Sequence, residues 1–160
     1  MTRPRALAEA FGDARVVSRS FALTPDQARA VEARARVRLP SRLVSAYLAW
    51  RGDTLAGTAF IESRTVRTMP GVFMVVVAPD TTVARMDVLA FHEPPDYLPP
   101  RRWLAGFGRR RLDERLWPAK GVPPISGATL STRAVTESVR LALALYTDVV
   151  APSLARKETR

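Results

Sequence analysis

The sequence predicts an α+β domain: an antiparallel sheet, a meander of about four or five strands, with helices packed on a face or end. Three observations carry that expectation. Alternating or continuously apolar runs at 43–50, 54–65, 72–77 and 83–91 are separated by short turns rich in Gly, Pro and Asp, which join neighbouring strands antiparallel. A long helical pattern near the C-terminus carries Val135, Val139, Ala142, Leu143, Tyr146 and Val150 at spacings of three and four. The chain has 160 residues, 47% of them apolar, enough for one core.

The elements run in order along the chain. Ala6 to Phe11 reads as a short helix ended by Gly12 and Asp13. Ala14 to Leu23 places Val17, Phe21 and Leu23 in an imperfect alternation and reads as a strand. Thr24-Pro25-Asp26-Gln27 is a helix start: Thr24 caps, Pro25 takes the first helical position and Gln27 completes a capping box. That helix sets Ala28, Val31 and Ala35 on one face and ends before Pro40. Leu43–Trp50 and Thr54–Thr65, joined by Arg51-Gly52-Asp53, make a hairpin. After the Met69-Pro70-Gly71 turn, Val72 to Val77 is apolar at every position, so both faces of that strand are expected to be covered. Pro79 to Thr82 turns the chain into the alternating run Val83–Phe91.

Beyond His92 the pattern breaks. Pro94, Pro95, Pro99 and Pro100 impose an extended path around Tyr97. Arg101 to Phe107 reads as a short helix carrying Trp103, Leu104 and Phe107, and Leu112 to Leu116 as a further helical turn. Gly121 to Ile125 is a loop leading into the C-terminal helix. In that helix Arg133 and Glu137 can pair four residues apart, and it is expected to stop near Pro152. A single domain is expected over 1–154, with 1–40 as an N-terminal strand and helix extension and 155–160 as a polar tail.

Composition narrows the chemistry. The formal charge is +10, nearly all from Arg, with Lys only at Lys120 and Lys157. These cations are spread along the chain and mixed with acids, and no helix-turn-helix, zinc or RNA-binding signature accompanies them, which leaves a basic nucleic-acid-binding protein as the less favoured alternative. There is no Cys and His92 is the sole His, which argues against thiolate or histidine metal sites and against a Ser/His triad. No membrane-spanning segment is expected. The basic N-terminus is not followed by an apolar stretch, so the expectation is a cytoplasmic protein, or an extracytoplasmic one if a leader is removed.

The stretch Ile125-Ser126-Gly127-Ala128-Thr129-Leu130-Ser131 lies where the proline-broken loop meets the long helix. Hydroxyl residues there have two uses. They cap the helix, or they join its free amides and positive dipole end in holding a phosphate.

Ser126-Gly127-Ala128-Thr129 followed by Leu130-Ser131 and an amphipathic helix resembles the flavinylation signature of the FMN-binding domain family. That family includes the flavin-carrying subunits of the sodium-pumping quinone reductase and the Rnf complex. Glu93-Pro94-Pro95, Val66 to Pro70 and Tyr97 to Leu104 resemble blocks of a small, stand-alone branch, and the likeness spans roughly 43–147.

The resemblance implies an FMN-carrying electron-transfer domain, a redox carrier more than a stand-alone enzyme, with redox donor and acceptor proteins as partners. It implies an FMN phosphoester to Thr129, made by a separate flavin transferase. Ser126, Gly127, Ala128, Leu130 and Ser131 would shape the phosphate turn. Glu93 would meet the ribityl hydroxyls or the ring edge, or be a plain surface carboxylate. Met69, Tyr97 and Trp103 would cover the ring, or pack the core. Arg67 would neutralise phosphate or the reduced, anionic flavin, or form an ordinary salt bridge. The chain departs from the family at Pro123, where an Asp is usual and is thought to be read by the transferase. That places covalent attachment in question and leaves non-covalent FMN, or a module that has lost flavin, as the alternative.

Overall fold

The computed structural model describes residues 1–158. It consists of helix α1 (Arg3–Phe11), strand β1 (Arg15–Ala22), α2 (Pro25–Ala35), β2 (Leu43–Arg51), β3 (Thr54–Thr65), β4 (Pro70–Val77), β5 (Val83–Phe91), a 3₁₀ turn (Pro95–Tyr97), α3 (Arg101–Ala105), α4 (Thr129–Leu145) and α5 (Ala151–Glu158). The five strands form one antiparallel sheet in sequence order, the expected meander.

Strand β4 explains the architecture. Successive residues along a strand face opposite sides, so an unbroken apolar run needs a cover on both. Phe73, Val75 and Val77 enter the larger core, with Val135, Val139 and Leu143 of α4 and Val31 of α2. Met74 and Val76 enter a smaller core with Ala6 and Phe11 of α1. The helices therefore lie on both faces of the sheet. Gly57 marks the closest approach of α1: a Cβ there would meet the Phe11 ring at 3.0 Å and Val76 Cγ1 at 3.2 Å.

Local chemistry sets the ends of the first two helices. Thr2 Oγ1 accepts from the Arg5 amide at 3.3 Å, which starts α1 three residues earlier than the apolar pattern indicates. The capping box of α2 is complete: Gln27 N donates to Thr24 Oγ1 at 3.1 Å and Thr24 N to Gln27 Oε1 at 2.8 Å.

Helix α4 is buried almost all round, as suits a core helix. The continuous helical run Thr129–Arg156, of which α4 is the first part, is long and apolar enough to cross a membrane, but 67% of its most apolar window is buried inside the molecule. Arg133 pairs with Glu137 at 2.9 Å as the spacing indicates. Arg64 on β3 bridges Glu62 and Glu137, each at 3.0 Å, and Ser138 Oγ donates to Glu62, so α4 is fastened to the sheet. Arg140, 3% exposed, donates to the carbonyls of Ala35, Asp113 and Leu116 at 2.7, 2.8 and 3.0 Å. Its guanidinium lies 4.2 Å from the Trp117 ring centroid. One buried cation thus ties the end of α2 and the 113–117 segment to α4.

Two expectations are corrected. Leu112 to Leu116 is not a helical turn but a series of turns and bends, its carbonyls at Asp113, Arg115 and Leu116 drawn to Arg110 and Arg140. The C-terminal helix does not stop near Pro152. A π-turn at Tyr146–Val150, where the Ala151 amide donates to Tyr146 O, widens the helix one turn ahead of the proline. Such a turn relieves the clash of a proline ring with the preceding carbonyls. The chain then continues as α5 to Glu158, so the described part of the expected polar tail is helical. Residues 159–160 lie outside the described residues.

Candidate functional site

The turn ahead of α4 is closed by Ala128 N donating to Ile125 O at 3.0 Å, with Gly127 at φ +77°, a conformation that favours glycine. Nothing lies within 4 Å of where a Gly127 Cβ would stand, so the bend faces open space. Ala128 is the N-cap, and no side chain caps the helix. The capping alternative is therefore not realised: Thr129 is the first helical residue and is exposed, as is Ser126. The amides of Thr129, Leu130 and Ser131 have no partner among the described residues, as expected of a first turn without a capping side chain.

Ser131 stands out in this turn. It is 1% exposed, and its Oγ has no hydrogen-bond partner among the described residues. Thr132 and Thr136, just beyond, return their hydroxyls to the carbonyls four residues back, at 2.9 and 2.7 Å. Ser131 makes no such bond.

Arg67 and Tyr97 complete the wall. With residues 127–131 they line a cavity of about 280 Å³. The Arg67 guanidinium lies 4.3 Å from the Tyr97 ring centroid and makes no ion pair among the described residues, contrary to the salt-bridge alternative. A cation over an aromatic face is held in place without being neutralised.

Glu93 acts one layer behind. It is 7% exposed, and its Oε1 accepts from the amides of Met69 and Thr68, both at 2.8 Å, and of Arg67 at 3.2 Å. These amides, Met69 foremost, hold its carboxyl below the usual range against the opposing effect of desolvation. Glu93 is thus neither a plain surface carboxylate nor part of the cavity wall. It folds the loop that carries Arg67.

Met69 is exposed (45%) but does not line the cavity. Three of the six exposed large apolar side chains among the described residues, Met69, Leu98 and Leu130, belong to the segments that build the site. Nothing in the sequence singles out Leu98, because a leucine before Pro99-Pro100 carries no local sign of exposure.

Trp103 is placed elsewhere. It lines a neighbouring cavity of about 460 Å³ with Phe107, Arg102, Arg110 and Pro123. Its Nε1 donates to Pro123 O at 2.9 Å, and its ring meets Phe107 edge-on at 5.1 Å. Trp103 does not line the cavity beside Thr129. It fixes the loop that delivers the turn. His92 is half-buried and donates its amide to Pro70 O, away from the cavity.

The site offers three free amides, a buried hydroxyl, a cation and an exposed alcohol, and no carboxylate lines it. That set suits the phosphate of a nucleotide-like cofactor. Among the described residues no cluster of His, Cys, Asp or Glu could hold a metal. No curated protein matches the chain. The model of the FMN-binding domain matches residues 69–144, from the Glu93-held loop through the 127–131 turn into α4, with Arg67 just outside the matched span. That match supports an FMN-binding domain over these residues, with FMN as its cofactor.

Proposed function

We propose that the protein is an FMN-carrying electron-transfer domain that seats the cofactor's phosphate at the Gly127–Ser131 turn. The observation that carries this is the convergence of Thr129, the uncapped first turn of α4 and the Arg67–Tyr97 pair on one cavity within a chain that matches the FMN-binding domain. FMN, once bound, exchanges one or two electrons. The chain's own residues bind and orient it. The amides of 129–131 and Arg67 face the phosphate, and the exposed Leu130 with Met69 and Leu98 nearby offers apolar surface to a ring. Thr129 supplies the alcohol through which a flavin transferase would make the phosphoester. Redox proteins are the donor and acceptor.

A second reading is favoured by Pro123, which has no carboxylate to offer a transferase and whose carbonyl is engaged by Trp103. In it the same cavity holds FMN without a covalent link. The test is to co-produce the protein with a flavin transferase, precipitate it with acid and weigh it intact. Colour and one FMN of added mass, both lost in Thr129→Ala, support the phosphoester. Colour released to the supernatant with unchanged mass supports the second reading. Protein that takes up no flavin contradicts both.

A further inference from the structure

We infer that the molecule holds a second small-molecule site, between the sheet and the middle of α4, that takes a neutral single-ring aromatic carrying one hydroxyl, a phenol. It goes beyond the flavin seat: no residue that lines it borders the cavity at 127–131. Ser138 in its wall lies roughly two and a half turns along α4 from Thr129.

Strand register and helix repeat build this site. Phe60 and Glu62 are two apart on β3, so both face α4, and Val75 of β4 stands opposite Phe60. Across from them Ser138, Leu141, Ala142 and Leu145 recur at the spacing of one helix stripe. The 39–43 segment forms the remaining wall, fixed where the Leu39 amide donates to Glu32 Oε2 at 3.0 Å. The space left between them is about 230 Å³. Phe60, Val75, Leu141, Ala142 and Leu145 are all buried, so the wall is core surface. Ala142 adds only a methyl group to it. Unfilled apolar volume lowers stability, and a guest that fills it restores contacts. A dry cavity of about 150 Å³ suffices for benzene.

One end is polar. Ser138 Oγ donates to Glu62 Oε1, which also accepts from Arg64 Nε at 3.0 Å. Both partners of the first bond line the cavity, which sets the carboxylate at its edge. Glu62 Oε2 has no hydrogen bond among the described residues. Arg64 already balances the charge, so an ammonium would enter without a counter-charge and a carboxylate would be repelled. A hydroxyl brings the one donor that the open carboxylate oxygen accepts. Leu43 lines the cavity yet is 64% exposed, so it stands where the cavity opens and can close over a ring.

The experiment is amide-shift mapping and thermal melts of the apoprotein with phenol, toluene, benzylamine and benzoate, for the wild type, Glu62→Gln, Ala142→Val and Ala142→Leu. Phenol is expected to raise Tm and to move the amides of Phe60, Glu62, Ser138 and Ala142, with those of 127–131 unmoved. It should bind about tenfold tighter than toluene, the size of one hydrogen bond to a charged group. Benzylamine and benzoate should bind less well than phenol. Glu62→Gln should bring phenol down towards toluene and leave toluene unchanged, a ratio that loss of the Arg64 bridge alone would not alter. Ala142→Leu should lose both guests, and Ala142→Val, the milder filling, should weaken both even where leucine proves too large to fold. Unmoved cavity amides, equal binding of phenol and toluene, a preference for benzylamine or benzoate, or full phenol binding in the folded Ala142 variants would overturn the site. Displacement of phenol by FMN would overturn it too, because the cavity would then belong to the flavin seat. Protein that takes phenol and no FMN would instead remove the flavin reading and leave this site standing.

Discussion

Glu93 holds Met69 by its backbone: the Met69 amide donates to Glu93 Oε1 at 2.8 Å, across 24 residues of chain. The same oxygen takes Thr68 and Arg67, so one buried carboxylate shapes the loop that sets Arg67 over Tyr97. The cation at the cavity is therefore placed by a residue that does not line it.

Glu93→Gln keeps the shape of the side chain and removes the charge that draws three amides together. The loop at 66–69 should loosen, with Tm falling by a few degrees and FMN affinity falling with it. Glu93→Ala should do more. Amide hydrogen exchange at Arg67, Thr68 and Met69 checks this; unchanged protection there in Glu93→Ala would contradict it. The pH dependence has a definite sign. The folded pKa of Glu93 lies below its usual value, so its contribution to stability is present above that usual value and is lost as pH falls through the folded one. Wild type should lose loop order only in acid, and the Glu93→Gln loop should lack that acid transition.

Arg140 is buried and bonded to three carbonyls, with no carboxylate in contact among the described residues. Burial pulls its pKa down from the usual value, first among the causes, with Arg36 adding to it. Arg140→Ala would leave those carbonyls without a donor, and unsatisfied buried groups cost roughly 1–3 kcal/mol each. Denaturant unfolding should show a loss of about 3 kcal/mol or more. Arg140→Lys should recover only part, since an ammonium cannot reproduce the planar fork. A loss below about 1 kcal/mol in Arg140→Ala would be at odds with the tie between α2, the 113–117 segment and α4.

Gly57 is where Phe11 rests on the sheet, and a Cβ there would sit at 3.0 Å from the Phe11 ring. Gly57→Val should destabilise by about 1–3 kcal/mol through overpacking. The damage should fall on α1, which chemical-shift mapping of residues 3–11 would show, while FMN affinity stays as in the wild type.

Pro123→Asp places a carboxylate three residues ahead of Ser126. The Trp103–Pro123 bond uses the backbone carbonyl and is available to any residue there. With a flavin transferase present, the fraction carrying covalent FMN should be higher in Pro123→Asp than in the wild type, read by intact mass. Equal fractions would show that the proline does not limit attachment.

Much of the sheet is readable from local pattern. Thr54–Thr65 and Val83–Phe91 begin and end where alternation and turn residues place them, and Thr24 caps where its neighbours indicate. The unbroken apolar run of β4 announces cover on both faces, and the two cores supply it. The path beyond Tyr146 is not readable in this way, because a proline in a helical pattern signals an end and a π-turn that accommodates it has no local signature. At the site, the bend and its free amides follow from Gly127 and the helix start. The stacking of Arg67 on Tyr97, the anchoring by Glu93 and the displacement of Trp103 to hold Pro123 are contacts across 20 to 30 residues, which no window of sequence contains.

The most direct measurement of the central claim is a backbone amide spectrum of the apoprotein recorded during titration with FMN. The largest shifts are expected at Gly127 through Ser131, with smaller ones at Arg67 and Tyr97. Shifts confined to the cleft of Trp103 and Phe107, with the 127–131 amides unmoved, would contradict it.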